Sequence, residues 1–230
     1  MYPRHRHINL VNLALTSRCN RRCPECSYGM HILHEAWDIS WDELVFAART
    51  LGNVGRINLT GGEPTMHPCF AEWSPKFKQL FAENQVSIET NGFGFKRFPE
   101  AFLHLDMIAP TLYRNGPSGP SNEEDIRFLE KYRDENKPEL PIQSYEPVHV
   151  PRTLRREGRD CFRAGSGAIA LFNNHLYPCC TGQGIEGAAS IALTTNWREE
   201  IMRCTLACQN CFFAEERLPW FRSIWRSFRR

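Results

Sequence analysis

The stretch that decides the fold is Ile8-Asn-Leu-Val-Asn-Leu-Ala-Leu15, which runs through Thr16-Ser17 into Cys19-Asn-Arg-Arg-Cys23-Pro-Glu-Cys26. The first eight residues alternate apolar and polar side chains, which predicts a β-strand. The spacing Cys-x3-Cys-x2-Cys lets a short loop bring three sulfur atoms to one group. A structural zinc ion requires four ligands, whereas an iron–sulfur cube can be held by three thiolates. The stretch therefore predicts a strand followed by a metal-binding loop.

Strands and helices alternate from this stretch to Pro151. Residues 40–51 read as a helix with Ser40 as N-cap and Glu43 as its capping-box partner. The other predicted elements are strands over 56–60, 86–89, 106–113 and 140–150, and helices over 70–84, 98–104 and 122–134. This alternation predicts a parallel sheet with helices outside.

Three features follow predicted strands directly: the cysteine loop, Gly61-Gly62-Glu63-Pro64 and Thr90-Asn91-Gly92. The carboxyl ends of parallel strands meet at one edge of a sheet, where such folds carry out their chemistry. We therefore expect the three features to form one site.

Composition narrows the class of protein. The chain has 230 residues, of which 42% are hydrophobic and 23% charged, an ordinary globular composition. Its formal charge of +2 predicts no nucleic-acid surface. No run of eighteen apolar residues and no secretory signal are present, so we expect a cytoplasmic protein without a transmembrane segment. In a reducing compartment, ten clustered cysteines favour metal binding over disulfides.

The cysteine motif followed by Gly61-Gly62-Glu63-Pro64, each after a strand, resembles the radical S-adenosylmethionine (SAM) superfamily. The resemblance implies a partial (β/α) barrel of about five to six parallel strands over residues 1–150. It also implies that Cys19, Cys23 and Cys26 bind a 4Fe-4S cluster whose open iron holds SAM. An external one-electron reductant such as flavodoxin or ferredoxin then drives release of a 5′-deoxyadenosyl radical, which removes hydrogen from the substrate.

The same resemblance assigns SAM contacts. The backbone of Gly61, Gly62 and Glu63, before Pro64, would receive the methionine amino group, and Thr90 and Asn91 would lie near the ribose. The two glycines permit backbone angles that expose carbonyl groups. The alternative for Glu63 is a solvated turn carboxylate. Superfamily members usually have an aromatic residue where this chain has Glu25, so we assign the adenine contact to Tyr28.

The carboxyl-terminal part resembles the twitch and SPASM extensions of radical SAM enzymes. Cys161, Asn174 and Cys179 match the opening of these extensions, with Asn173-Asn174 as a hairpin turn. A full SPASM domain would need about seven cysteines for two clusters, more than the six present after residue 150. The prediction is therefore a small twitch-like domain over 151–230. Its auxiliary 4Fe-4S cluster would be bound by Cys161, Cys179, Cys208 and Cys211.

Other interpretations stay open for both groups of cysteines. Cys19, Cys23 and Cys26 with His31 form a possible zinc set, as do Cys204, Cys208 and Cys211 with Cys180. Residues 218–230 read as an amphipathic helix that covers its own domain or receives a membrane surface or a partner.

We expect oxidation of a secondary alcohol in a sugar or aminocyclitol-like metabolite of natural-product biosynthesis. A cluster with four cysteine ligands has no open iron and suits electron transfer. Arg152 or His149 is the expected base. The alternatives are crosslinking of a ribosomally made peptide, epimerisation with Cys180 or Cys204 returning hydrogen, sulfur insertion, and a non-enzymatic zinc or iron–sulfur interaction module.

Overall fold

A computed structural model describes residues 8–23, 26, 28, 35–147, 168–178 and 190–203. Strands and helices alternate through most of this part, as predicted. The strands are β1 (Leu10–Thr16), β2 (Arg56–Gly61), β3 (Gln85–Thr90), β4 (Met107–Pro110), β5 (Ala168–Phe172), β6 (His175–Tyr177) and β7 (Ile191–Ala192). The helices are α1 (Trp41–Leu51), α2 (Phe70–Leu80), α3 (Pro99–Phe102), α4 (Glu123–Asn136) and α5 (Trp197–Arg203), with a 3-10 turn at Pro64–Met66.

The strands form one sheet in the order β4-β3-β2-β1-β5-β6-β7. Strands β1 to β4 pair in parallel, and β5 adds in parallel to the free edge of β1. Strands β6 and β7 continue the sheet antiparallel. The arrangement confirms the α/β prediction and is that of a partial barrel with its helices outside.

The two faces of the sheet differ sharply in polarity. Alternate residues of β1, namely Val11, Leu13 and Leu15, join the main hydrophobic core with the buried faces of α1 and α2. The residues between them point to the other face. There Asn12 is aligned with Asn58 of β2, which is aligned with Ser87 of β3. We call Asn12, Asn58 and Ser87 the polar ladder.

Helix α1 begins as the sequence predicts. The Ser40 side chain accepts a hydrogen bond from the Glu43 backbone N–H, and the Glu43 carboxylate accepts one from the Ser40 N–H, so the capping box is confirmed. Asp42 and Glu43 in the first turn favour the positive end of the helix dipole. Helix α2 is shorter than predicted, because it ends at Leu80 rather than Asn84.

The predicted strand over 140–150 is reduced within the described residues to isolated bridges at Ile142 and Tyr145 beside β4. Pro141 and Pro147 lack the N–H group that a ladder requires, which limits regular pairing here. The bridges still run parallel to β4, so this segment extends the sheet beyond it. Residues 148–150 lie outside the described part.

The hairpin predicted at Asn173-Asn174 is confirmed. Both residues have positive φ angles, 48° and 56°, as a tight hairpin turn requires. The hairpin is continuous with the barrel sheet, and Trp197 of α5 donates from its indole N–H to the Thr50 carbonyl of α1. The boundary near residue 150 and the twitch-like domain remain predictions, because residues 151–167, 179–189 and 204–230 lie outside the described residues. In the described part, the helices lack the length and apolar character needed to cross a lipid bilayer.

Candidate active site

The glycine turn after β2 packs directly against the start of the cysteine loop. The backbone N–H of Gly62 donates to the Thr16 carbonyl at 2.8 Å, and that of Glu63 donates to the Arg18 carbonyl at 2.7 Å. A Cβ on Gly62 would lie 2.2 Å from the Arg18 carbonyl oxygen, so only glycine permits this approach. The turn therefore positions the chain just before Cys19.

The three cysteines of the loop are thiols outside any disulfide, and they lie at the carboxyl edge of the sheet. Cys23 is buried, whereas Cys19 and Cys26 are half-buried. The Cys19 sulfur accepts a hydrogen bond from the Arg21 backbone N–H at 3.4 Å and lies 3.8 Å from the Asn91 amide nitrogen. Hydrogen bonds to sulfur are characteristic of iron–sulfur sites, where they tune the potential.

The donor set fits a 4Fe-4S cluster. Burial raises the pKa of the Cys19 thiol to about 12, with smaller contributions from the charges of Glu63, Cys26 and Cys23. A thiolate here therefore needs a compensating positive charge, which a bound metal would supply. In the described part, no three His, Cys, Asp or Glu side chains are arranged to hold a single metal ion. A cube, in contrast, binds each thiolate at a separate iron. The zinc alternative rests on His31, which lies outside that part.

Glu63 is a buried structural carboxylate, so the alternative of a solvated turn residue is wrong. It has 0% exposure. Its Oε1 accepts hydrogen bonds from the Thr65 N–H, the Thr65 hydroxyl and the Thr90 hydroxyl, and its Oε2 accepts one from the Asn91 N–H at 2.7 Å. Burial raises the pKa of Glu63, and these hydrogen bonds oppose the shift. One side chain thus holds the turns after β2 and β3 together.

Thr90 and Asn91 are likewise buried at this edge. The Asn91 side chain donates to the Asn20 side-chain oxygen at 2.8 Å, which connects the turn after β3 to the cysteine loop. The contacts of Thr90 and Asn91 with the SAM ribose remain predictions. The contacts of Gly61, Gly62 and Glu63 with the methionyl group of SAM also remain predictions. The structure does bring all three predicted features to one edge.

Tyr28 extends from the cysteine loop over the polar face of the sheet. Its hydroxyl donates to Glu89 Oε2 at 2.7 Å and accepts from the Asn12 amide at 3.3 Å. The adenine contact predicted for Tyr28 remains a prediction. The polar ladder continues from this point, because the Asn58 amide donates to Asn12 Oδ1 at 2.9 Å and the Ser87 hydroxyl donates to Asn58 Oδ1 at 2.9 Å.

A second contact to the cysteine loop comes from the segment after β4. Tyr113 Oη lies 3.7 Å from the Cys23 sulfur, and the Arg21 guanidinium stacks 4.1 Å from the centre of the Tyr113 ring. Arg21 is buried and donates to the carbonyls of Ser118 and Pro120. Burial is the main cause that raises the pKa of Tyr113 well above its usual value, so its hydroxyl stays protonated.

Sequence reasoning missed several of these residues. Asn12, Asn58, Ser87 and Glu89 were read only as strand positions, although each of the first three is a polar residue between two apolar ones in successive strands. That repeated pattern was the available signal. Arg21 and Tyr113 gave no comparable signal, since a long segment of chain separates them. The predicted residues His149, Arg152, Cys161, Cys179, Cys180, Cys204, Cys208 and Cys211 lie outside the described part.

Two comparisons find proteins that are similar to this chain. Proteins of similar sequence match part of the chain, and a solved structure of similar fold matches most of it. Molybdenum cofactor biosynthesis protein 1 of Bos taurus is 32% identical over 96 residues, 40% of this chain and 15% of that protein. GTP 3',8-cyclase of Streptomyces coelicolor is 29% identical over 119 residues, 45% of this chain and 35% of that protein. The matches thus span well under half of these relatives' own lengths. The crystal structure of BtrN in complex with AdoMet and 2-DOIA has a similar fold, with a TM-score of 0.57, 13% identity, and coverage of 86% of this chain and 82% of that one.

The third comparison concerns the family. The model of the Radical SAM superfamily matches residues 13–164, about two thirds of the chain. This span runs from β1 through the cysteine loop, the Gly61 turn and the Thr90 turn, which are the parts that the structure assembles at one edge of the sheet. The chain therefore belongs to the radical SAM superfamily, whose enzymes use a 4Fe-4S cluster together with S-adenosylmethionine.

Proposed function

We propose that this protein oxidises a secondary alcohol of a sugar or aminocyclitol-like metabolite in natural-product biosynthesis. When bound, the cluster and SAM supply a 5′-deoxyadenosyl radical that removes a hydrogen atom from carbon. Cys19, Cys23 and Cys26 hold the cluster, and the backbone from Gly61 to Glu63 orients the methionyl part of SAM. Cys161, Cys179, Cys208 and Cys211 would hold an auxiliary 4Fe-4S cluster, which would supply the acceptor for the electron that the oxidation releases.

The observation that carries the proposal is the polar ladder on the inner face of the sheet. Asn12, Asn58 and Ser87 are buried, and each amide or hydroxyl can both donate and accept hydrogen bonds. These groups hydrogen-bond to one another, so they give this face of the sheet a polar character that suits a polyol better than an apolar substrate. Tyr28, which follows the cluster loop, contacts the ladder at Asn12, so the ladder lies beneath the loop that holds the cluster.

Two further points support oxidation of a small molecule. BtrN, whose fold is similar over most of both chains, was crystallised with AdoMet and 2-DOIA. The spacing of Cys161, Cys179, Cys208 and Cys211 favours a cluster with no open iron, which suits electron transfer. Arg152 or His149 is the proposed base. Ten cysteines in spaced groups suit a reducing cytoplasm, where flavodoxin or ferredoxin would act as reductant.

The test is anaerobic turnover of reconstituted protein with SAM, a reductant and a panel of sugars, aminocyclitols, peptides and GTP. We expect a product that has lost two hydrogens as a new carbonyl, formed in step with 5′-deoxyadenosine. The variant with Cys19, Cys23 and Cys26 all replaced by alanine should form neither. Solvent deuterium at an inverted carbon would instead indicate epimerisation. The proposal would also be wrong if the product were a crosslinked peptide, a sulfur-containing compound or a cyclised nucleotide.

A further inference from the structure

Glu89 places a carboxylate on the polar face of the sheet, two residues beyond the polar ladder along β3. The side chain is half-buried. Its Oε2 atom accepts hydrogen bonds from the Tyr28 hydroxyl at 2.7 Å and from the Asn58 amide at 3.4 Å. Neither donor carries a charge. Among the residues that the structure describes, Glu89 forms no ion pair, unlike Asp125 and Glu146, which pair with Lys96 and Arg114.

An unpaired carboxylate inside a protein is costly unless its charge is compensated. Neutral donors reduce the loss of solvation but leave the net negative charge in place. The hydrogen bonds from Tyr28 and Asn58 both reach the Oε2 atom, which leaves Oε1 as the less satisfied oxygen of the carboxylate. A cationic ligand would both use that oxygen and cancel the charge.

Two buried hydroxyl groups, those of Thr60 and Tyr145, lie on the Glu89 side of the sheet. Thr60 of β2 lies on the same face as Asn58 by strand alternation, is 1% exposed, and its buried hydroxyl has no hydrogen-bond partner in the described structure. The buried Tyr145 hydroxyl lies beside the Glu89 carboxylate and interacts with it. Burial and then the nearby Glu89 carboxylate raise the pKa of Tyr145 well above its usual value, which keeps this hydroxyl protonated as a donor. The Thr60 hydroxyl has no partner in the described structure, and a hydroxyl of a bound ligand would satisfy it.

We propose that Glu89 anchors an anionic subsite that binds a protonated amino group of the substrate. Tyr28 and Tyr145 hold the carboxylate, Tyr28 from the side of the cluster loop, and the Thr60 hydroxyl contacts a neighbouring hydroxyl of the same molecule. The inference rests on the proposed function and narrows its substrate class to amino-substituted polyols.

The experiment compares two probes that differ in a single group, scyllo-inosamine and scyllo-inositol. Anaerobic calorimetry measures their binding to the reconstituted protein loaded with SAM, before any reductant is added. We expect the amine to bind at least about tenfold more tightly, as one charge-assisted hydrogen bond allows. Glu89→Gln keeps the shape and an acceptor for Tyr28 but removes the charge, so it should abolish the preference. Glu83→Gln is the matched control, because Glu83 is exposed before the opposite end of β3.

Iron content and SAM affinity of Glu89→Gln are measured alongside and should equal those of the wild type. Four results would each overturn the inference. In the wild type these are equal binding of the two probes and no binding of the amine. In Glu89→Gln they are a preference for the amine that survives and a loss of SAM affinity. The proposed function fails separately, when no carbonyl product forms. If a neutral polyol is oxidised and the protein shows no binding preference for the amine, only the assignment of Glu89 is overturned.

Discussion

The hydroxyl of Thr90 donates a 2.6 Å hydrogen bond to the carboxylate of Glu63, which joins the ends of two neighbouring strands. The same hydroxyl accepts a hydrogen bond from the Gly92 N–H at 3.0 Å. Since Glu63 also receives the Asn91 N–H, the turns after β2 and β3 share one buried carboxylate. The edge that faces the cysteine loop is therefore held together by hydrogen bonds among its own residues.

Replacing Thr90 with valine should lower the free energy of unfolding by about 1–3 kcal/mol. The substitution preserves the shape but leaves the buried Glu63 carboxylate and the Gly92 N–H each short of a partner. Thr60→Val is the matched control, because that hydroxyl is buried without a partner and its loss should be neutral or stabilising. Urea unfolding of both variants measures the difference. Equal destabilisation by the two substitutions would show that the Glu63–Thr90 bond has no special value.

Replacing Gly62 with alanine should prevent assembly of the first cluster. The added Cβ would lie 2.2 Å from the Arg18 carbonyl oxygen and 2.7 Å from that of Ser17, so the chain before Cys19 must move away. We expect a loss of about four iron atoms per chain and of SAM cleavage. The control is Gly116→Ala, whose Cβ meets its nearest atom, the Arg114 carbonyl oxygen, at an ordinary 3.8 Å. Normal iron content in Gly62→Ala would contradict the proposed role of the turn.

The sequence predicted the elements and the clustering of motifs better than it predicted the contacts inside the site. Strand alternation identifies β1, β2 and β3, and parallel strands bring their carboxyl ends together. Alternation does not reveal the pairing register, so the alignment of Asn12 with Asn58 and Ser87 emerged only from the structure. The reach of Arg21 to the Ser118 carbonyl spans 97 residues of sequence, and no local pattern encodes it.

The Tyr113 hydroxyl should raise the reduction potential of the first cluster. Once Cys23 is a thiolate, only the hydroxyl can donate in their 3.7 Å contact, and this bond favours the more negative, reduced cluster. Tyr113→Phe keeps the ring beneath Arg21 and removes the donor. We expect the potential to fall by roughly 20–60 mV, the equivalent of one hydrogen bond. Redox titration monitored by electron paramagnetic resonance measures it, with Tyr132→Phe on α4 as control. An unchanged potential would rule out this hydrogen bond.

His67 should make the protein less stable at mildly acidic pH. Its ring is buried, and Nδ1 accepts a hydrogen bond from the Cys69 N–H, so Nε2 carries the proton that is donated to the Ile39 carbonyl. Burial lowers the pKa of His67 below its ordinary value of 6.5. The neutral ring therefore contributes stability above that value, and the contribution is lost as the pH falls from 6.5 through the folded pKa.

The measurement for His67 is the free energy of unfolding at about pH 7.5 and about pH 5.5. The wild type should lose more stability between these values than His67→Gln, which has no titrating group at this position. His104→Gln controls for removal of a histidine that lies at an exposed position. An equal loss in His67→Gln and the wild type would show that His67 does not titrate in this range.

Iron analysis tests the two-cluster prediction. Two separate sets of cysteines predict about eight iron atoms per reconstituted chain and no stoichiometric zinc.

Cys161→Ala or Cys208→Ala should remove the auxiliary iron and stop product formation. Cys180→Ala and Cys204→Ala should keep the iron and the turnover, because an oxidised substrate radical leaves as a carbonyl and needs no thiol to return hydrogen. About four irons with about one zinc would contradict the auxiliary cluster. If Cys180→Ala or Cys204→Ala kept both clusters yet stalled, and solvent deuterium entered the wild-type product, epimerisation would replace oxidation.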